Sequence, residues 1–258
     1  MATLDGDPVD PGRLSALATV NYGHFTSMRV QDGGVRGLGL HLERLARDCR
    51  RLFETELDLE RVRRYARDAL ADVARPVIVR ITVFDPALEV GDAGADADPS
   101  ILVTLRAAPA PGGPALRLAS AVYQRELPEV KHVGLFGPVR LRRAARRGGA
   151  DDVLFTGADG GICETSIANV GFIEGDRVLW PRADWLDGVT MRLVSGLTDT
   201  TTEPVTLRRL PSMDAAFVTN AAVGVRPVGA VDDTRWTDEP PVLRRLRERY
   251  ADLAAELI

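Results

Sequence analysis

Lysine is almost missing from this chain. Of its 33 basic residues one, Lys131, is lysine, and every other is arginine. A guanidinium stays protonated, whereas an amine can lose its proton and attack a carbonyl, so nucleophilic amine chemistry in a side chain has one possible address. Cysteine is scarce too. Cys49 and Cys163 stand far apart, with neither CxxC nor Cys/His spacing. That points to reduced thiols in a cytoplasmic protein rather than a disulfide frame or zinc site. No apolar run approaches the roughly 18 residues of a membrane span. The opening MATLDGDPVDPGRLSALATV has no basic n-region or apolar h-region, so no signal peptide is expected. A net charge of −4 and a pI near 5.5 give no electrostatic footprint for nucleic acid. The basic run RLRRAARRGG at 140–149 has helical spacing and no interleaved aromatics, and reads as a solvated helix face. His24, His41 and His132 lack metal-ligand spacing, so no metal is expected. GxSxG, Walker and GxGxxG words are all missing, which leaves hydrolase, NTPase and dinucleotide-fold readings without support.

What is present describes a globular chain with a real core. Hydrophobic residues make up 45% and charged residues 27%, and 258 residues suffice for two modest domains. HFTSMRVQDGGVRGL reads as two strands about a turn at Asp32-Gly33-Gly34. LHLERLARDCRRLF follows as a helix with Leu42, Leu45, Cys49, Leu52 and Phe53 on one face, and LERVRRYARDALADVA as a second. PVIVRITVF and ILVTLRAA are paired strands around an exposed acidic loop. APAPGGPA, at 108–115, holds three prolines and two glycines in eight positions, and is expected to link a smaller N-terminal domain, 1–107, to a larger C-terminal one, 116–258. Beyond it come the strand LRLASAVY and the helix PVRLRRAARRGG. Three short strands are expected within DDVLFTGADGGICETSIANVGFIEGDRVLWP, then a helix from LDGVTMR. A strand, turn and short strand in AAFVTNAAVGVRPV lead to a closing helix, PPVLRRLRERYADLAAELI.

Several words surround the lone amine. Lys131 follows LPEV and precedes a glycine-containing apolar segment, which suits a strand end facing a cleft; by itself it reads more readily as a surface survivor of codon bias. CETSIANV presents Glu164 after a tight turn, with Asn169 five residues on. Such a carboxylate can hold a ring nitrogen protonated, or can be one more solvated strand glutamate. LDGVTMR sets Gly188 before Val189 and Thr190 at a helix start, where free N–H groups attract anions; an ordinary helix start looks the same. HLERL places Arg44 on the polar side of its helix, to clamp a phosphate or face solvent.

Jointly, these words resemble one family, the class IV aminotransferases, which are pyridoxal-phosphate enzymes of fold type IV. The group includes branched-chain and D-amino-acid aminotransferases and aminodeoxychorismate lyase. FTSMRVQDGGV with LHLERL is similar to the family's opening, and VKHVG, GADDVLF, ETSIANV, LDGVTMR and TNAAVGVRPV follow in its order from about Asn21 to Val228. The resemblance implies an α+β chain of two α/β-type domains in the D-amino-acid aminotransferase-like architecture, with a cofactor cleft between them. It implies pyridoxal 5'-phosphate as cofactor, with Lys131 as the Schiff-base lysine and base at the substrate's α-carbon, and Arg44 as a phosphate ligand. Glu164 becomes the partner of the pyridine nitrogen. Val189 and Thr190 become phosphate-binding amides, and Asn220-Ala221 a second phosphate loop. Tyr22, Phe25 and Thr26 fall where the family lines its substrate pocket. The partners implied are a small amino or keto acid and a second copy in a homodimer, with no nucleic acid and no membrane.

The chain departs from the family's pattern in several places. Gly134 stands where members commonly carry Asn, and Leu135 and Phe136 where some offer a tyrosine hydroxyl. Asn21-Tyr22-Gly23 replaces a frequent GDG, Phe25-Thr26-Ser27 loses a carboxylate, and Asn220-Ala221 replaces Gly-Thr. FTSMRV, VKH and TNA lean toward the lyase, which releases pyruvate and leaves 4-aminobenzoate, with Thr26 as a possible aid to proton traffic. Because these words line the cofactor more than the substrate, an aminotransferase is the leading expectation, the lyase the alternative, and a non-catalytic binding relative the third.

Overall fold

The computed structural model describes residues 2–73, 76–236 and 239–258. Two compact units emerge. One comprises Met1–Pro109 with Val130–Gly134 and Ala254–Ile258; the other comprises Ala110–Glu129 and Leu135–Leu253. The chain thus changes units inside the proline-rich stretch, but two short later segments, one of them carrying Lys131, pack with the first unit.

The first unit contains β1 (Ala2–Leu4), β2 (Asp7–Pro8), α1 (Ser15–Thr19), β3 (His24–Val30), β4 (Gly34–Val35), α2 (Leu38–Phe53), α3 (Leu59–Leu70), β5 (Val77–Phe84) and β6 (Ser100–Ala107). Five strands form an antiparallel sheet in the order β2-β1-β6-β5-β3. Alternation explains its buried face: Val77, Val79, Ile81 and Val83 of β5 join Met28 and Val30 of β3 in one core. The helices complete that core with Leu38, Leu42, Leu45, Cys49 and Phe53 of α2 and Val62, Ala66 and Ala69 of α3. The β3–β4 turn is a two-residue hairpin. Asp32 and Gly33 both adopt positive φ, at 51° and 71°, which the right-handed twist of paired strands favours. Asp58 caps α3 by accepting the N–H of Arg61 at 3.0 Å. The helix stops at Leu70, and Ala74, the last residue of the expected helix, lies outside the described residues.

The second unit contains β7 (Leu116–Val122), α4 (Phe136–Arg147), β8 (Asp152–Thr156), β9 (Ile162–Thr165), β10 (Asn169–Glu174), β11 (Arg177–Pro181), α5 (Val189–Ser195), β12 (Thr200–Glu203), β13 (Ala215–Asn220), β14 (Gly224–Val231), β15 (Thr234–Arg235) and α6 (Pro241–Ala251). Its sheet runs β12-β11-β10-β13-β14-β7-β8-β9, with β15 on β14. Glu164 of β9 pairs back with Asn169 of β10, closing a ring through β13, β14, β7 and β8. Two expectations are corrected here. The stretch read as three strands makes four, because Thr165 turns the chain: its N–H reaches the Ala168 carbonyl at 2.8 Å and its hydroxyl accepts the Ala168 N–H at 3.0 Å. The closing helix ends at Ala251; Glu256–Leu257 is extended and pairs with β4.

Two histidines are buried in the first unit, His24 at 0% and His41 at 1% exposure. Burial, reinforced by the Arg44 charge, pushes the His24 imidazole down to about 3 from 6.5. Burial also drives His41 well below its usual range, with Arg44 and then Lys131 adding to the effect. Both rings fold neutral. Below pH 6.5 the unfolded chain takes up protons that the native one refuses, so stability is lost as the pH falls from 6.5 toward 3. Denaturant titrations should therefore show the unfolding free energy falling with acidity, by on the order of 1.4 kcal/mol per pH unit for each histidine. The difference between wild type and His24→Phe isolates one such share. Parallel pH profiles for the two proteins would contradict a neutral buried His24.

Candidate active site

Lys131 belongs to the first unit through main-chain bonds to the start of β3. Phe25 N–H donates to the Lys131 carbonyl at 2.9 Å, Val133 N–H donates to the Gly23 carbonyl at 2.9 Å, and His24 and His132 face each other in an antiparallel bridge. The segment behaves as one more strand on the β3 edge. Lys131 N–H is taken by the Asp48 carboxylate, Oδ2, at 3.0 Å. The amine, Nζ, stands 4.9 Å from the centroid of the Phe25 ring, and the Arg80 guanidinium carbon stands 3.6 Å from the same centroid.

Arg44 is buried, with 6% exposure, so the solvent-facing alternative for it is excluded. Its Nη2 donates to Thr26 Oγ1 at 2.7 Å, and Thr26 Oγ1 lies 2.7 Å from His41 Nδ1. Since His41 is neutral, the network assigns the Thr26 hydroxyl proton to Nδ1, and a fixed row results: imidazole, hydroxyl, guanidinium. Thr26, expected in a substrate pocket, is fully buried with its hydroxyl committed to this row. The reason is parity. Residues 24, 26, 28 and 30 of β3 face the helices, and residues 25, 27 and 29 face away. Phe25 is buried, while Tyr22 is partly exposed, its ring edge-on to Phe53 and its hydroxyl donating to the Leu52 carbonyl at 3.0 Å.

In the second unit Glu164 is buried on β9 and paired with Arg125, whose Nε lies 2.8 Å from Oε1. Arg125 Nη2 also donates to the Ser166 carbonyl at 3.2 Å, which fixes the guanidinium to the turn after β9. Val189 and Thr190 open α5, and both are buried. Gly188 is required there by space, since a Cβ would collide with Asn169 Oδ1; Asn169 in turn donates through Nδ2 to the Leu186 carbonyl at 2.7 Å. Asn220 ends β13 and accepts the N–H groups of Ala222 and Val223 at 3.0 and 3.1 Å, so its side chain closes its own turn and Ala221 sits within that turn. The buried hydroxyls of Thr190 and Thr219 have no hydrogen-bond partner among the described residues.

The structure therefore brings Lys131, Arg44, Phe25 and Thr26 together in one unit, and Glu164, Thr190 and Asn220 belong to the other. Sequence reasoning missed Arg125, Asp48 and Arg80. Arg125, among so many arginines, carried no signal. Asp48 did carry one: an acid three residues after Leu45 and four before Leu52 falls on the buried stripe of α2. Among the described residues no group of three His, Cys, Asp or Glu is placed to hold a metal ion, and no helix is long and apolar enough to cross a membrane.

Solved structures share this fold. A crystal structure of a branched-chain aminotransferase from Thermoproteus uzoniensis with norvaline superposes with a TM-score of 0.87 at 18% identity, covering 97% of this chain and 93% of that one. A putative 4-amino-4-deoxychorismate lyase from Legionella pneumophila gives 0.82 at 22% identity, over 90% of this chain and 91% of the other. The PLP-bound form of a hypothetical aminotransferase from Mycobacterium tuberculosis gives 0.80 at 20%, over 97% of each. In sequence, a probable branched-chain-amino-acid aminotransferase of Thermotoga maritima is 32% identical over 115 residues, which are 41% of this chain and 42% of that protein. The sequence match thus spans less than half the length of that relative. The family description "Amino-transferase class IV" matches residues 23–231, most of the chain. With fold and family match in agreement, the chain belongs to the class IV aminotransferases, with their fold type IV architecture.

Proposed function

We propose that this chain is a pyridoxal-phosphate enzyme that moves an amino group from an amino acid to a keto acid, with Lys131 holding the cofactor. The observation that carries the reading is Lys131 itself. The one side-chain amine of the chain is tied at both its carbonyl and its N–H, with its Nζ over an aromatic ring. The residues fit the cofactor's chemistry. Arg44 is a cation pre-oriented by Thr26 for a phosphate. The hydroxyls of Thr190 and Thr219 are buried without a partner among the described residues, as suits groups kept for a ligand's acceptor atoms. Glu164 is a buried carboxylate in an ion pair, suited to a ring N–H. When bound, pyridoxal phosphate supplies an aldehyde for an amine and a protonated ring that draws electrons from the substrate's α-carbon.

The protein's own work is to bind, orient and move protons. Lys131 Nζ is the amine that would hold the aldehyde of the cofactor, and as a free neutral amine it would serve as base for the proton on the substrate's α-carbon. Arg44 and Thr190 are assigned to the phosphate, together with the main chain of Val189 and of the Asn220-Ala221 turn. Glu164 is assigned to the ring nitrogen, with Arg125 holding its carboxylate. Phe136 brings no hydroxyl to the ring oxygen, so tuning of the ring falls to Glu164 and Arg125. Amino and keto acids as substrates and a homodimer in solution belong to the same reading, and sedimentation checks the latter.

The lyase reading draws on FTSMRV, VKH and TNA and on the fold shared with the Legionella protein. Against it, the Thr26 hydroxyl is committed to Arg44 and His41, which removes its candidate proton carrier. An amino donor given alone should convert the bound cofactor to its amine form and bleach its visible absorbance. Unchanged absorbance with free pyruvate from aminodeoxychorismate would establish the lyase instead.

Lys131→Ala should lose the visible absorbance and between about 10² and 10⁴-fold in turnover. A variant that turned over normally would leave only a binding role for the fold. For Arg44→Gln, equilibrium dialysis should show cofactor affinity lower by on the order of 10- to 100-fold, and Thr26→Val should fall between it and wild type. An unchanged affinity in Arg44→Gln would remove the guanidinium from the phosphate.

A further inference from the structure

We infer that Asp48 is the positioning residue of the reactive lysine: its buried carboxylate fixes the main chain of Lys131 and, through it, the place where Nζ can act. The inference rests on the reading of Lys131 given above and adds a residue on which neither the sequence motifs nor the family likeness drew.

The segment Val130–Gly134 is held by the start of β3 through the Lys131 carbonyl and the Val133 N–H. In an antiparallel pair the N–H and C=O of one residue point the same way, so regular pairing would send the Lys131 N–H to Phe25 beside its carbonyl. Asp48 Oδ2 takes that N–H at 3.0 Å from α2. The lysine's peptide is thereby clamped between a strand edge and a helix. Asp48 is 1% exposed, and its second oxygen, Oδ1, receives Arg47 Nε at 3.1 Å and Nη2 at 2.9 Å. Both carboxylate oxygens are used, so the group has a defined orientation.

The choice of residue is informative. Position 48 falls on the apolar stripe of α2, between Leu45 and Leu52, where an alanine or leucine would cost nothing in solvation. Burial raises the Asp48 carboxyl, and the Lys131 N–H and the Arg47 and Arg44 charges oppose that. A buried acid kept at some cost, with an N–H of the reactive residue as its partner, is a group retained for position. Asp48 also lies one helical turn beyond Arg44, so the same rigid helix carries the assigned phosphate ligand and the clamp on the lysine. A tilt of about 10° in the Lys131 main chain would move the end of a side chain roughly 6 Å long by about 1 Å, a misplacement worth on the order of 10²-fold in rate.

The test follows cofactor capture, in which Nζ bonds to the aldehyde carbon and the carbonyl oxygen leaves as water. Apoenzymes of wild type, Asp48→Asn, Asp48→Ala and Asp48→Glu are mixed with pyridoxal phosphate, and the growth of the visible band, its pH midpoint and the thermal midpoint are recorded. Asparagine keeps an oxygen for the N–H; its capture rate and pH midpoint should stay within about threefold of wild type. Alanine removes the oxygen, and glutamate displaces it by one methylene. Both should slow capture by 10-fold or more, lower kcat with little change in KM, and move the pH midpoint of the band. If alanine does not fold, the glutamate variant carries the comparison. Lower thermal midpoints in alanine and glutamate with wild-type capture and pH midpoint would overturn the inference and leave Asp48 a structural residue. Absence of a visible band in wild type itself would overturn the reading of Lys131, and this inference with it.

Discussion

The bond between Lys131 and the beginning of β3 is the constraint from which the rest follows. A segment far along the chain leaves the second unit, pairs as an edge strand beside Phe25, and returns to α4. The two main-chain bonds that make this bridge are a small contact by themselves. They hold because β3 is the edge of a sheet whose other face bears the core of the first unit, so the template they use is rigid. An edge strand is ordinarily a liability to be covered. Here the start of that edge is covered by the segment that carries Lys131.

Holding an amine there creates an electrostatic problem that α2 and β3 resolve. Lys131, Arg44 and Arg80 bring positive charge to one region of the first unit, and Arg80 is held below its usual range by burial and by Arg106. The two histidines beside them do not add to it, because burial keeps both neutral. Asp48 lies in the same region, its carboxyl accepting from Arg47 and from the Lys131 N–H. The pattern is two cations aimed by neutral groups, the hydroxyl and imidazole for Arg44 and the peptide clamp for Lys131. Under the proposed function, an anion arriving there would find its donors already in position, with little ordering left to do.

Much of this was legible from residue order. Alternation in PVIVRITVF and the apolar stripe of α2 placed the core of the first unit, and Asp32-Gly33 placed its hairpin. Words that depend on side-chain contacts were read less well. TSIA looked like uninterrupted strand because Thr165 and Ile167 favour strands, yet the Thr165 hydroxyl takes the Ala168 N–H and reverses the chain. The closing helix was overrun because AELI continues an apolar spacing, and pairing with β4 overrides that propensity. The polar residues inside the stripe of α2 were the hardest. His41, Arg44 and Asp48 share its buried face with leucines, and only their partners, Thr26 and the Lys131 peptide, explain why they are tolerated.

The composition gains its meaning at this point. An aldehyde cofactor can condense with a primary amine but not with a guanidinium. A chain whose other basic side chains are all arginine keeps its positive charge and solvation while offering one side-chain amine to such an aldehyde. Arginine is also the better partner for carboxylates held in the interior, and Arg125 with Glu164 and Arg47 with Asp48 use it so. Codon bias alone would account for the scarcity of lysine but not for the place of the survivor. The remaining amine is the one whose main chain is held by β3 and by Asp48; under the proposed function, a guanidinium at this position would keep the charge and lose the nucleophile.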